Sequence, residues 1–527
     1  MHRKKPFQTM LLSGMFLFLV TDRATAQTIT RSFDGDSGPG AAVCEQRKTH
    51  CGFPDMDAGV NGKQVVQVTW QNFGVYDLNG KLIKSIPLDT FIRNAGLDPI
   101  PTDRKNPPVA SKKGAFEGHV VYNEFLDRWI VSATGSSDSL LVSASADALG
   151  SWGGVNLSCL ESGPCLNFDP ALHLGYDKNG VYYCGGHLGE SSPNTIIGVA
   201  YDCFAIPAAE VKAIAQGKAP AHINRMHSLP HEIFPAIDHT PDKAAGAPAL
   251  FLSKTCDRST PGGCQNATNN SFHWIVDTYT WKGVTGTGTW NADGEQLVKT
   301  DVGSKQNKWL YNKPCCGPLA TFPQAGTVTP LRAAESHRLT NAVQHGSHLH
   351  GVLSSGPCVK DCGVQGTDTN NVGFWVDLDC SNPKACVVSQ TAKIAGDFNP
   401  EFPTIGVDKA GNVGIVAISS TAKTNLSILL WTHKVSDPPN SVTGPTTVVA
   451  GTEPYTCETD KQFASIANPV GVFTALDPAD GSKLWVSHHY ARSAERCVWN
   501  TRIFQYQIVP LPGDSTKQSK SKSAKQP

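Results

Sequence analysis

Charge is the first thing this 527-residue chain lacks. Charged side chains make up 17% of it, and 45 basic against 45 acidic groups leave no net charge. A balance of that kind excludes a basic surface made for nucleic acid or for anionic lipid. Helical periodicity is nearly absent, and Met10 to Val20 is too short an apolar stretch to span a bilayer. No Gly-x-Ser-x-Gly elbow and no phosphate-cradling loop is present, so serine-hydrolase and nucleotide chemistry have no motif to rest on. Paired Cys-x-x-Cys motifs, the usual signature of structural zinc, are missing too.

Turn formers are abundant instead, with 49 Gly and 35 Pro. Low charge with many turn formers predicts an all-β extracellular protein. One phrase recurs: an apolar run, an Asp-led turn closing on Gly or an aromatic, then more β-formers. It stands at Asp77, Asp127, Asp177, Asp408 and Asp477. Asp bonds its own backbone two residues on and Gly supplies positive φ, so each phrase predicts a hairpin. Its irregular recurrence predicts radially repeated sheets, a β-propeller. Six long blade candidates lie near 116–160, 167–205, 230–285, 317–380, 398–450 and 465–508, and 64–91 supplies two further strands, as closure or as another blade. The expectation is seven blades, with six as the alternative. One helix is expected, from Ile206 to Ile214.

His2, Arg3, Lys4 and Lys5 precede the apolar stretch, and Ala24-Thr25-Ala26 follows it, the pattern of a signal peptide over 1–26. Residues 27–63 read as a leader loop, 64–512 as the propeller and 513–527 as a disordered basic tail. The mature protein is expected to be soluble, monomeric and either secreted or periplasmic. Sixteen cysteines in an exported chain predict disulfides. Spacing suggests Cys44 with Cys51, Cys159 with Cys165, Cys256 with Cys264, Cys358 with Cys362 and Cys380 with Cys386. Longer loops are suggested for Cys184 with Cys203 and Cys457 with Cys497, and Cys315-Cys316 remain as neighbours.

Four stretches resemble a family of secreted, propeller-like bacterial proteins: 117–129, 143–152, 402–412, and 476–485 with 499–503. Glu117-Gly118 stands where that family has Asp-Pro, and Phe463-Ala464-Ser465 where Gly-Asp-Tyr is usual. The resemblance implies the architecture and no reaction.

Ligands of propellers meet the mouth or the channel, so residues just before each inner strand are the binding candidates. They are Glu117, His119, Asp169, Glu232, Asp238, Arg338, Glu401 and Asn468. Facing carboxylates among them, from Glu117, Asp169 or Glu401, would suit glycoside hydrolysis. His345, His348 and His350 form a weaker metal candidate, with His488 and His489 as further imidazoles. Ala475, Asp477, Gly481 and Trp485, with the vicinal cysteines, resemble the docking repeat of quinoprotein dehydrogenases, though the phrase occurs once. Asp147 to Trp152 is similar to a sialidase Asp-box, a structural turn, and Arg128, Arg338 and Arg502 would have to converge for that activity. The reading that uses most of these features is a non-catalytic propeller without cofactor, binding glycan or extracellular protein at its mouth.

Overall fold

The structure is a computed structural model. It describes residues 27–38, 56–70, 72–98, 116–134, 138–157, 168–192, 195–229, 232–244, 246–256, 272–282, 287–290, 296–298, 310–311, 321–333, 339–356, 358–360, 370–460, 463–466, 472 and 474–508. Strand dominates, in a propeller-like arrangement of antiparallel four-stranded units.

Seven such units follow one another among the described residues. Unit 1 runs from Asp57–Val60 to Leu82–Pro87, unit 2 from Phe116–Asn123 to Trp152–Asn156, and unit 3 from Phe168–Asp177 to Asn224–Leu229. Unit 4 begins with Ile233–Asp238, and two short outer strands, Thr287–Trp290 and Gln296–Val298, share its third strand, Phe272–Lys282. Unit 5 spans Leu339–His345 to Val387–Ile394, and unit 6 spans Glu401–Val407 to Thr443–Gly451. Unit 7 holds Thr474–Leu476, Lys483–Tyr490 and Asn500–Ile508. Its fourth strand is Gln27–Ser37, from the other end of the chain.

The first strand of each unit lies against the first strand of the next, and that of unit 7 returns to unit 1. The inner strands of units 3, 4 and 5 pair in parallel only near their hairpin ends, so Pro235, which precedes those pairings, and Pro403, which lies in a register shift, fit without breaking a ladder. The core is divided accordingly. Seven apolar clusters each fill one junction between neighbouring units, including that of unit 7 with unit 1, where Trp485 and Ile503 meet Val65 and Tyr76. Inner strands approach closely where small residues allow it. A Cβ on Gly175 would stand 2.7 Å from the Ala236 carbonyl oxygen, and one on Gly406 2.4 Å from Thr474 Cγ2.

The Asp-led phrases form the expected hairpins. Asp177 Oδ1 accepts from the amides of Asn179 (2.8 Å) and Gly180 (3.2 Å), and Asp408 Oδ1 from those of Ala410 (2.8 Å) and Asn412 (2.9 Å). Asp477 Oδ1 accepts from Ala479 (3.0 Å), and its Oδ2 from Trp485 Nε1 (3.1 Å). Asp77 and Asn123 build equivalent turns.

Several boundaries differ from expectation. Residues 27–63, expected as a leader loop, contain the strands Gln27–Ser37 and Asp57–Val60. Unit 1 is complete in itself, so the closing strand comes from Gln27–Ser37 rather than from 64–91. Unit 5 reaches Ile394, beyond the expected limit of 380. The expected helix occupies Ala208–Ala215, after Pro207. A second helix, Leu88–Asn94, buries Leu88, Phe91 and Ile92, the i, i+3, i+4 face that packs on Phe73 and Trp152.

Three of the expected disulfides are present. Cys184–Cys203 joins adjacent strands of unit 3, Cys380–Cys386 clips a loop of unit 5, and Cys457–Cys497 ties the segment after unit 6 to unit 7. Each of the other expected pairs has at least one cysteine outside the described residues, where residues 1–26 and 513–527 also lie. No described helix is long and apolar enough to cross a membrane.

Candidate functional site

Each inner strand runs from one end of the ring to the hairpin at the other. Counting back four residues from the turn leader gives an equivalent position in every unit. In units 1 to 6 it holds Asp57, His119, His173, Phe234, Thr340 and Thr404, all buried. Inter-strand pairing supports the alignment, with Tyr176 opposite Ile237 and Ala236 opposite Ala342.

On one side of the ring these positions form a polar row. Asp57 Oδ1 accepts from the Ala58 amide (2.7 Å) and Oδ2 from the Val120 amide (2.9 Å), which fixes unit 1 to the free edge of unit 2. His119 Nδ1 stands 3.8 Å from Asp57 Oδ2. The rings of His119 and His173 are 6.5 Å apart, and His173 packs on Phe234 at 3.7 Å. His173 Nε2 lies 3.0 Å from Glu232 Oε1. The Glu232 side chain is 15% exposed, whereas His119 and Asp57 are fully enclosed. The row therefore sets imidazoles beside carboxylates, and presents one carboxylate outward.

Across the ring the mouth is built differently. Glu401 is wholly buried and accepts from Asn371 Nδ2 (2.5 Å). A register shift between Glu401 and Thr404 marks a bulge, and Phe402 inside it has φ of 48°. A bulge re-aims the residues beside it, which accounts for Glu401 turning into the wall between units 5 and 6. His488 Nε2 lies 3.0 Å from the Phe402 carbonyl oxygen, and His489 is buried beside both rings. Burial pushes His488 down to about 4, and burial followed by the charge of His488 holds His489 well below the usual imidazole range.

The sequence candidates fare unevenly. His119 and Glu232 stand on the polar row. Asp238 does not: it ends the strand that Glu232 precedes, so it lies at the hairpin end. There Asp238 Oδ1 accepts from the Thr240 amide (2.9 Å) and Oδ2 lies 2.9 Å from Lys243 Nζ. Glu117 and Asp169 occupy inner strands with side chains outside the described residues, as are Arg338 and Asn468 altogether. Asp57 and His173 were not among the candidates. The four-residue offset from the turn leader Asp177 would have found His173, whereas Asp57 precedes a turn led by Asn61, which the Asp phrases do not mark.

The other motifs resolve into structure. His348 and His350 share a face, both toward Asp377: His348 Nδ1 is 2.8 Å from its Oδ1 and His350 Nδ1 3.9 Å. His345 turns away, its Nε2 3.4 Å from the Lys409 carbonyl. Among the described residues no three His, Cys, Asp or Glu side chains are grouped to hold a metal ion. Asp147 accepts from Gln64 Nε2 (2.8 Å) and the Leu149 amide (3.0 Å), a turn fastened to unit 1. Arg502 pairs with Asp34 (2.7 Å) on the outer strand of unit 7, and Arg128 donates to the Asp127 carbonyl (2.7 Å). Neither belongs to a convergent arginine set at the mouth, because their strands place them elsewhere.

No family model matches the chain, and no curated protein does. Among solved structures it is similar to the extracellular domains 1-2 of Drosophila Semaphorin 1a, with TM-score 0.41 and 10% identity over 93% of this chain and 90% of that one. A protein of unknown function from Dyadobacter fermentans gives TM-score 0.35 and 8% identity over 92% of this chain and all of that one (100%). Trypanosoma rangeli sialidase with the inhibitor DANA gives TM-score 0.33 and 9% identity over 74% of this chain. The match covers 54% of the sialidase, about half its length. The architecture stands on the sheet pairing and the junction clusters.

Proposed function

We propose that this protein is an exported, seven-bladed β-propeller that binds a polar ligand, foremost a glycan, at its mouth without turning it over. The seven units are its blades, and Gln27–Ser37 closes the ring by completing the last one. Export accords with the signal-like N-terminus and with the three disulfides. A secreted or periplasmic monomer is the corresponding form.

One observation carries the binding reading. Asp57, His119 and His173 hold equivalent positions on three consecutive inner strands, and Glu232, just before the fourth, joins the row through His173 and is partly exposed. Such a row offers several donors and acceptors to the hydroxyls of a sugar. The alternative, a carbohydrate-active hydrolase, needs two carboxyl groups roughly 5–10 Å apart across a cleft. Asp57 is occupied by two backbone amides and Glu401 by Asn371, so of the described candidate carboxylates Glu232 is the one that keeps outward exposure.

The test is a glycan array probed with the disulfide-intact protein, next to an array of extracellular proteins. Binding to a discrete glycan set with no release of reducing sugar supports the proposal. Release of reducing sugar would move the assignment to the hydrolase, and binding confined to proteins would replace the glycan.

A further inference from the structure

A cleft of about 570 Å³ opens at the hairpin end of the seam between units 1 and 2, the opposite end of the ring from the mouth row. That volume is typical of sites for small organic ligands. Its walls come from the hairpin at 61–64 and Ile83 of unit 1, and from Asp127 and the loop at 145–149 of unit 2. Ile83 and Leu149 are 46% and 37% exposed, two of the six large apolar side chains that the described residues leave open to solvent. Two exposed carboxylates share the cleft, and the fold holds one oxygen of each. Asp147 Oδ1 accepts from Gln64 Nε2 (2.8 Å) and the Leu149 amide (3.0 Å), and Asp127 Oδ1 accepts from the Tyr122 hydroxyl. Among the described residues Oδ2 of each has no hydrogen-bond partner, and the ammonium of Lys63 in the same cleft has none either. The bonds from Gln64 and the Leu149 amide hold the Asp147 carboxyl below the usual carboxylate range, so it stays ionised at neutral pH.

We infer that this cleft is a second binding site, which takes a short apolar peptide by its free ends: the ammonium at Asp127 and Asp147, the carboxylate at Lys63, and the side chains against Ile83 and Leu149. A carboxylate anchored through one oxygen presents the other in a fixed direction, and an ammonium, which carries donors only, answers two of them. Lys63 is the cation among the lining residues and serves the opposite end of the ligand. Charges of both signs beside apolar walls thus match an apolar zwitterion. No aromatic ring lines the cleft, so a sugar would find no flat apolar face there. A single amino acid would leave most of the volume empty, which favours a peptide. The site is separate from the mouth and does not depend on the glycan reading.

The test is isothermal titration calorimetry of the intact protein with leucyl-leucine at about pH 6.5, where the terminal amine is charged. Leucyl-leucine should bind. Acetylating its amine, or Asp127→Asn, should each weaken binding about tenfold, the loss of one charge-assisted hydrogen bond. Asn tolerates the left-handed φ of 57° that Asp127 holds, so this variant should melt as the native protein does. Leucyl-leucine amide on the native protein, and leucyl-leucine on Lys63→Met, should bind severalfold more weakly, and glycyl-glycine more weakly still. No binding of leucyl-leucine at about 1 mM overturns the inference. So does equal affinity for the free and acetylated dipeptides, native affinity in Asp127→Asn, or glycyl-glycine binding as well as leucyl-leucine. The glycan array decides the mouth separately, so the failure of either reading leaves the other standing.

Discussion

The side chain of Asn341 bonds both backbone groups of Ile405: Nδ2 donates to the Ile405 carbonyl (2.6 Å) and Oδ1 accepts from its amide (3.0 Å). Unit 5 thereby supplies two bonds of a ladder to the free edge of the unit 6 inner strand. Asp57 serves the Val120 amide of unit 2 in the same way. Because Asn341 is fully buried, Asn341→Leu would strand both groups of Ile405. A loss of about 2–4 kcal/mol is expected in urea unfolding; an unchanged midpoint would show that the bonds are dispensable.

Closure by Gln27–Ser37 has its own signature. Phe33 lies 5.7 Å from Tyr76 and 6.3 Å from Trp485, where unit 7 meets unit 1. Phe33→Ala should cost about 2 kcal/mol, less than a fully buried Phe would. A chain lacking residues 27–37 should lose more, because the strand Asn500–Ile508 becomes an open edge. Equal thermal melting of the native and shortened chains would mean that the ring closes without this strand.

The hairpin end contains a buried charge cluster. Lys243 Nζ lies 3.0 Å from Asp177 Oδ2 and 2.9 Å from Asp238 Oδ2, and the Tyr182 hydroxyl donates to Asp177 Oδ2 (3.0 Å). Lys243→Met leaves two buried carboxylates without their cation. Breaking such a set from one side costs about 3–5 kcal/mol. Calorimetry of the variant should show a markedly lower melting temperature at neutral pH.

Acid should weaken the fold in a defined window. Burial pushes His350 and His488 from 6.5 to about 4, and holds His489 well below its ordinary value. Their folded values lie below their unfolded ones, so the unfolded chain binds more protons. The stability they confer is complete above pH 6.5 and is lost as pH falls toward 4. His348, raised chiefly by its bond to Asp377, acts in the opposite sense, but it is 40% exposed and its effect is screened. Urea midpoints measured from pH 7 to pH 4 should fall with an uptake of more than one proton on unfolding. A flat profile would contradict the burial of these three rings.

Local chemistry explains what the sequence revealed. The turns at Asp77, Asp177, Asp408 and Asp477 were legible because an Asp side chain bonds amides within its own hairpin. Cys184 with Cys203, Cys380 with Cys386 and Cys457 with Cys497 were legible from spacing. The strand Gln27–Ser37 was hidden because Ile29 and Phe33 are its only large apolar residues and its partner lies more than 460 residues away, with Gln27 opposite Ile508. Glu401 was misjudged because a bulge, invisible in composition, turns it into the wall. Asp238 was misjudged because the same residue type that could line a mouth also leads a turn.

The most direct measurement is the affinity of the intact protein and of Glu232→Gln for glycans on the same array, with melting temperatures recorded in parallel. Glu232 is the outward member of the His173 pair, so the variant should keep the native melting temperature within about 2 °C, since partly exposed polar changes alter stability little. Its binding should fall about tenfold, the loss of one charge-assisted hydrogen bond. Equal affinity of the two proteins, or no glycan bound by either, would contradict recognition at the mouth.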